Sequence, residues 1–426
     1  MFSLARIPAR RAGSNMALAI ALATGAVVGL AATAPAAYAQ KQPKSNNSKG
    51  FIAVYGPILE LSKAESPDEG ALRAGVDQVV GAIENADDRY AAGAFANNVG
   101  VDLGDYGLQR KGITLMLESG KVAPDQVAKF HHTVGQLAYN DDDYAAARDA
   151  FQKALEAGYS RKDLFPLLAD TYFQQEDYAT GLAMYKTEME TLTATGEKPP
   201  REWITRALAT SYNNDQAIPA IEFATILARE YPAVESWRDA INIQRNLVLM
   251  EGPELLDLMR LADTVGTMDS DRDYLEYADA ADVLRAPGEV KRVLEKGIAA
   301  GKVSADELVV KETLTSANSR VEDDKKDLVD LEKDAMVPSA TASLTTEAGD
   351  AFLSYQMYDK AEAAYQLALG KPGVDEAKAN LRLGIAQLML GKSEEAKASF
   401  AKVKGQRRPV AGLWSVYADQ KASATM

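Results

Sequence analysis

The stretch GQLAYNDDDYAAARDAFQKAL, residues 135–155, reads as two helices joined by a short acidic turn. Large side chains are missing at Gly135 and Ala147, twelve residues apart, and an aromatic, Phe151, stands four further on. The stretch ADTYFQQEDYATGLAMYKTEM, residues 169–189, lies under it without a gap at a shift of 34. Gly135 then matches Ala169, Tyr144 matches Tyr178, Ala147 matches Gly181 and Phe151 matches Tyr185. A second pair lies near the other end: residues 349–369 align with 384–404 at a shift of 35, matching Gly349 to Gly384, Ala361 to Ala396 and Tyr365 to Phe400.

Two helix backbones approach closely only where no side chain stands between them, and the aromatic fills the space against the next pair. A single hairpin of this kind cannot bury its apolar face, so hairpins must stack. These residues resemble the tetratricopeptide-repeat (TPR) family, whose 34-residue period and small-residue pattern they share. The resemblance implies an all-α fold, an α-solenoid of antiparallel helix pairs in a right-handed superhelix. Fainter copies run through Trp203, Leu208 and Ala220, then Trp237, then Tyr274, Ala278, Val290 and Leu294. The expected organisation is repeats over 51–303, clearest at 128–195, a charged helical spacer over 304–340, and a repeat pair with a capping helix over 341–426. For 304–340, one or two helices continuing the array are the other reading. The cap would use Trp414 and Tyr417 to cover the last repeat.

The first 39 residues read differently. Arg6, Arg10 and Arg11 precede an Ala/Leu/Val-rich run, and Ala37-Tyr38-Ala39 is a small-x-small cleavage site, so a signal peptide cut after Ala39 is expected. A flexible linker, 40–50, follows it. The chain of 426 residues has no cysteine, which excludes disulfides and lipidation at a processed cysteine. Nothing after the signal is apolar for long enough to span a membrane, and the expected place is a periplasm. Cleavage would take the formal charge from −14 to −17. That charge opposes nucleic acid and anionic lipid surfaces, so neither is an expected partner.

Catalytic residues are scarce. The two histidines, His131 and His132, are adjacent and point about 100° apart on a helix, so they cannot share a metal. His131 falls on a slot that normally packs inward, His132 on the inner face. Gly391-Lys392-Ser393 lacks the glycine of a phosphate loop, since Ala386 stands in its place. Ser399 and Lys402 have the SxxK spacing but no companion motif. No catalytic residue, metal site or cofactor is assigned.

What the family resemblance does supply is a concave surface made by the first helix of each hairpin. His132, Gln136, Tyr139 and Asn140 fall there from one repeat, Asp170, Phe173 and Gln174 from the next, and Tyr212 and Asn213 from the third. An aromatic followed by a carboxamide recurs, and a carboxamide can both donate to and accept from a peptide backbone. The lysine/asparagine clamp known in the family is absent, because His132, Gln136, Pro166 and Asp170 occupy its positions. Leu381, Ile385, Leu388 and Met389 make an apolar stripe, read as a second, helix-binding groove, as a self-association patch, or as a face covered by the terminal helix. The expected function is an exported scaffold or adaptor that binds other envelope proteins or peptides. The alternatives are a cell-wall-processing enzyme or its accessory, with a site in 51–127 or 304–340, and a homo-oligomer formed through the apolar stripe.

Overall fold

The computed structural model describes residues 46–64, 67–250 and 252–423, and among them every regular element is helical. The signal-peptide assignment and most of the linker lie outside the described residues. Two compact units divide at Pro124.

The first unit holds α1 (Lys49–Ser62), α2 (Glu69–Gly81), α3 (Ala86–Asp102) and α4 (Tyr106–Glu118). Ser48 caps α1 by accepting from the Phe51 amide, and its own amide donates to the buried Asp88 carboxylate at 2.8 Å. Phe51, Leu72, Val76 and Phe95 form the core. Gly93 and Gly112 let α3 and α4 meet backbone to backbone. A Cβ placed on Gly112 would stand 2.3 Å from the Asn97 amide nitrogen.

The second unit begins with three hairpins. These are α5 (Pro124–Asn140) with α6 (Tyr144–Glu156), α7 (Arg161–Phe173) with α8 (Tyr178–Ala194), and α9 (Arg201–Asn213) with α10 (Ala217–Glu230). Each turn is made the same way. One residue takes a left-handed conformation, namely Asp142, Glu176 and Asp215, with φ of 57°, 60° and 56°. Asp143 and Asp177 then cap the following helices, accepting from the Ala146 and Thr180 amides. The steric pattern holds in detail. A Cβ on Gly135 would lie 2.3 Å from the Phe151 ring, one on Gly349 2.8 Å from Tyr365, and one on Gly384 2.4 Å from Phe400. Each pair is sixteen residues apart, and the three aromatics are fully or almost fully buried.

The array continues through α11 (Val234–Leu247), α12 (Gly252–Thr264), α13 (Asp271–Ala281) and α14 (Pro287–Ala299) into the long α15 (Leu308–Ala335). Most of the charged 304–340 stretch is this one helix. It buries Val310, Ala317, Val321, Leu328 and Ala335, a seam at steps of four and seven, between α14 and α16 (Ala342–Ser354). Lys371 closes its far end by donating to the carbonyls of Pro338 and Ala340 at 3.0 and 2.8 Å. The charges that suggest a spacer lie on the exposed side, paired locally as Asp323–Lys326 and Asp330–Lys333.

After α16 come α17 (Tyr358–Leu369), α18 (Glu376–Met389), α19 (Ser393–Phe400), a 3₁₀ turn (Gly405–Arg407) and α20 (Arg408–Ser423). Helix α20 does more than cap α19. It also packs on α10, α11 and α12, so the end of the chain returns to its middle. Trp414 is completely buried, stacks near Phe400, and donates through Nε1 to the Asp257 carbonyl at 3.0 Å. Helix α12 becomes central, with every residue from Leu256 to Ala262 buried.

A buried ionic network holds this return. Arg382 donates to both oxygens of Asp257 at 3.0 and 3.1 Å and pairs with Asp350 at 2.7 Å. Arg260 bridges Asp257 and Glu289, and Tyr277 donates to Glu289. Burial alone would raise the Asp350 pKa, but Arg382 and Lys378 overcome it and pull it from 3.8 down to about 2. A carboxylate depressed in this way contributes fully above its unfolded value and loses the contribution as pH falls through the folded one. Acid titration of unfolding should therefore show about 2 kcal/mol lost between roughly pH 4 and pH 2, and Asp350→Asn should remove that segment of the pH dependence. An Asp350→Asn variant with an unchanged slope there would contradict the assignment.

Candidate functional site

The first helices of the three leading hairpins, α5, α7 and α9, lie side by side, and a polar chain crosses them. The Tyr139 hydroxyl donates to Asp170 Oδ2, and the Arg206 guanidinium pairs with Asp170 Oδ1. Gln174, one turn along α7, donates to the same Oδ2 at 3.5 Å. Asp170 is 9% exposed and would be costly to bury without these partners. Burial and the neighbouring carboxylate push the Tyr139 hydroxyl well above its usual pKa, so it stays a donor throughout the physiological range. Around the chain, Asn140, Gln174, Tyr212 and Asn213 are exposed, with Tyr212 43% accessible, and Gln136 is half-buried beside them.

Tyr139, Phe173 and Tyr212 each stand three residues before the left-handed turn residue, at equivalent places in successive hairpins. With this register, the 34-residue step and the repeated glycine–aromatic contact, the architecture is decided. The hairpins form an α-solenoid of stacked antiparallel helix pairs. The chain matches no protein-family profile, and no curated protein matches it in sequence. Among solved structures it is similar to a tetratricopeptide repeat protein from Parabacteroides merdae, at 12% identity over 70% of this chain and 99% of that one, with a TM-score of 0.28. It is similar also to the TPR2AB domain of yeast Sti1 in complex with pHSP90, at 13% identity over 71% and 95%, TM-score 0.25. A third similar structure is Naa15/Naa10 bound to HypK-THB, at 10% over 82% and 63%, TM-score 0.34. These superpositions are loose, and the description of the fold rests on the helices' own contacts.

Not every residue expected on the TPR ligand face is there. Phe173 is only 8% exposed, stacked 6.1 Å from Tyr185 and seated against Gly181. Where the first repeat has Ala147, the second has Gly181, and the space left by the missing methyl takes the Phe173 ring. His132 is half-buried and stacks on Tyr159 with ring centroids 4.3 Å apart, so it belongs to the packing between helices. Burial lowers its pKa despite Asp163 nearby. His131 beside it is half-buried as well. Among the described residues, no three His, Asp or Glu side chains are placed to hold a metal.

Of the readings of the apolar stripe at the other end, the structure shows the one in which the terminal helix covers it. Leu381, Ile385 and Leu388 are buried, and Met389 packs against the same core at partial exposure. Helix α20 packs on this helix, and Lys421 donates to the Leu388 carbonyl at 3.2 Å. The stripe is interior packing, not a free surface.

Arg206 is the residue of the polar chain that is not singled out in the sequence. Its one signal is a cation between the buried Ile204 and Ala207. A cleft of about 270 Å³ beside α11 is lined by Arg238, Asn242, Arg245 and Thr267 among others. Its cations are already matched, Arg245 by Asp273 and Glu276 at 3.1 and 3.0 Å and Arg238 by Asp269 at 3.6 Å.

Proposed function

We propose that this protein is an exported adaptor that binds an extended segment of a partner envelope protein across α5, α7 and α9. The observation that carries the reading is the Tyr139–Asp170–Arg206 chain. It ties together the first helices of three consecutive hairpins, and Asn140, Gln174, Tyr212 and Asn213 are exposed around it. Exposed carboxamides at one-repeat spacing suit a peptide backbone, whose own donors and acceptors recur along its length. Tyr212 adds flat contact area at small entropic cost. The chain's negative charge favours a partner with a neutral or basic contact surface, drawn in by long-range attraction. The amino-terminal sequence supports export.

Crosslinking in the native compartment, followed by identification of the captured protein, tests the reading. With the partner in hand, Asn140→Ala combined with Asn213→Ala should weaken binding about tenfold to a hundredfold, measured by calorimetry. Unchanged affinity in the double variant, with its thermal unfolding intact, would remove this surface from consideration.

A further inference from the structure

Helix α20 is held as a ligand is held. It is the last element, and residues 401–407, all but Val403 and Arg407 exposed, join it to α19. Gly405 in that turn has φ +68°, which glycine accepts without strain. Its contacts with α10, α11 and α12 are made with chain more than 150 residues upstream. Gln420 donates to the Ala228 carbonyl at 2.9 Å, Gln244 donates to the Pro409 carbonyl at 3.0 Å, and Trp414 donates to the Asp257 carbonyl. Ala228 lies in the last turn of α10, where carbonyls have no partner within their own helix, and Gln420 supplies a donor there. Lys421 adds a second donor to the Leu388 carbonyl, which already accepts from the Gly391 amide. At the other end Arg407 reaches Glu254 at 2.6 Å.

None of these bonds depends on the covalent connection. The short turn contributes mainly effective concentration, which for a linker of this length is on the order of millimolar. We propose that the socket formed by α10, α11, α12, α18 and α19 is a transferable helix-binding site, filled in cis by α20 and open in trans to the same helix of a second copy. It selects a helix with a tryptophan at its centre, a cation seven residues before it, and donors six and seven residues after it. Exchange of α20 between two copies reproduces every contact, so the pair costs only association entropy.

Two experiments test this. A site-specific protease sequence placed between Lys404 and Gly405 allows the folded chain to be cut. The cut protein should release its own helix and take up a labelled peptide of residues 405–423, followed by fluorescence anisotropy. The same peptide with Trp414→Ala should bind at least about a hundredfold more weakly. Failure of the cut, still-helical protein to take up peptide, uptake indifferent to the tryptophan, or unfolding on cutting would each overturn the proposal. In the second experiment, deleting residues 402–404 keeps α20 from reaching its own socket. Light scattering at micromolar concentration should then find a stable dimer for the shortened chain and a monomer for the parent. A shortened chain that stays monomeric rules out the second copy as the occupant.

Discussion

Replacing Arg382 with alanine should cost the second unit about 3–5 kcal/mol, the range found when one partner of a buried ion pair is removed. The side chain is 4% exposed and serves two carboxylates at once, Asp257 on α12 and Asp350 on α16, besides the Pro253 carbonyl at 3.2 Å. Asp257 is fully buried, so it cannot recover the lost interaction from water. It keeps Arg260 at 3.0 Å, and Asp350 keeps Lys378 at 2.6 Å, which is why the loss should fall short of unfolding the unit outright. Urea denaturation at neutral pH measures the difference. Asp257→Ala combined with Arg382→Ala should cost less than the two single changes added together, by roughly 1–3 kcal/mol, because the second removal takes away a charge already stranded. A loss under about 1 kcal/mol for Arg382→Ala would mean that the network is slack and that apolar contacts alone hold the return of α20.

Gly112→Ala should destabilise the first unit by about 3 kcal/mol, the upper part of the range for overpacking. What makes this glycine severe is the kind of atom its neighbours present. The new methyl would meet the Asn97 amide nitrogen at 2.3 Å and the Gly93 carbonyl oxygen at 2.5 Å, both backbone, so only a shift of a whole helix makes room. Gly384 gives the control. Its new methyl meets the Phe400 ring at 2.4 Å, and a ring can be trimmed. Gly384→Ala alone should cost about 1–3 kcal/mol, and Phe400→Leu added to it should recover part of that loss, whereas no single side-chain change should rescue Gly112→Ala. Thermal unfolding followed by circular dichroism distinguishes the cases. A Gly112→Ala chain as stable as the parent would show that α3 and α4 do not cross where the structure places them.

Residues within one hairpin could be read without a structure, because the forces that fix them act over short sequence separations. Gly135 and Phe151 are sixteen apart, and steric exclusion at one demands bulk at the other, so the pattern survives in the letters. The turns are legible for the same reason, since Asp143 and Asp177 cap the helices that begin on the next residue. The exposure of Asn140, Gln174, Tyr212 and Asn213 also follows from one-helix geometry.

Phe173 shows where that geometry stops. Its register equals that of Tyr139 and Tyr212, yet one methyl fewer on the facing helix, at Gly181, draws its ring inside. The partners of Asp170 lie 31 and 36 residues away, in different repeats, and no periodicity marks them. Arg382 and Asp257 are 125 residues apart, and Gln420 and Ala228 are 192 apart. The sequence by itself determined that hairpins form and stack, through local exclusion of bulky groups. Only the tertiary structure decided that the stack bends back until its last helix fills its middle, because that choice is made by a few buried charges and one tryptophan whose partners are brought near only after the helices have packed.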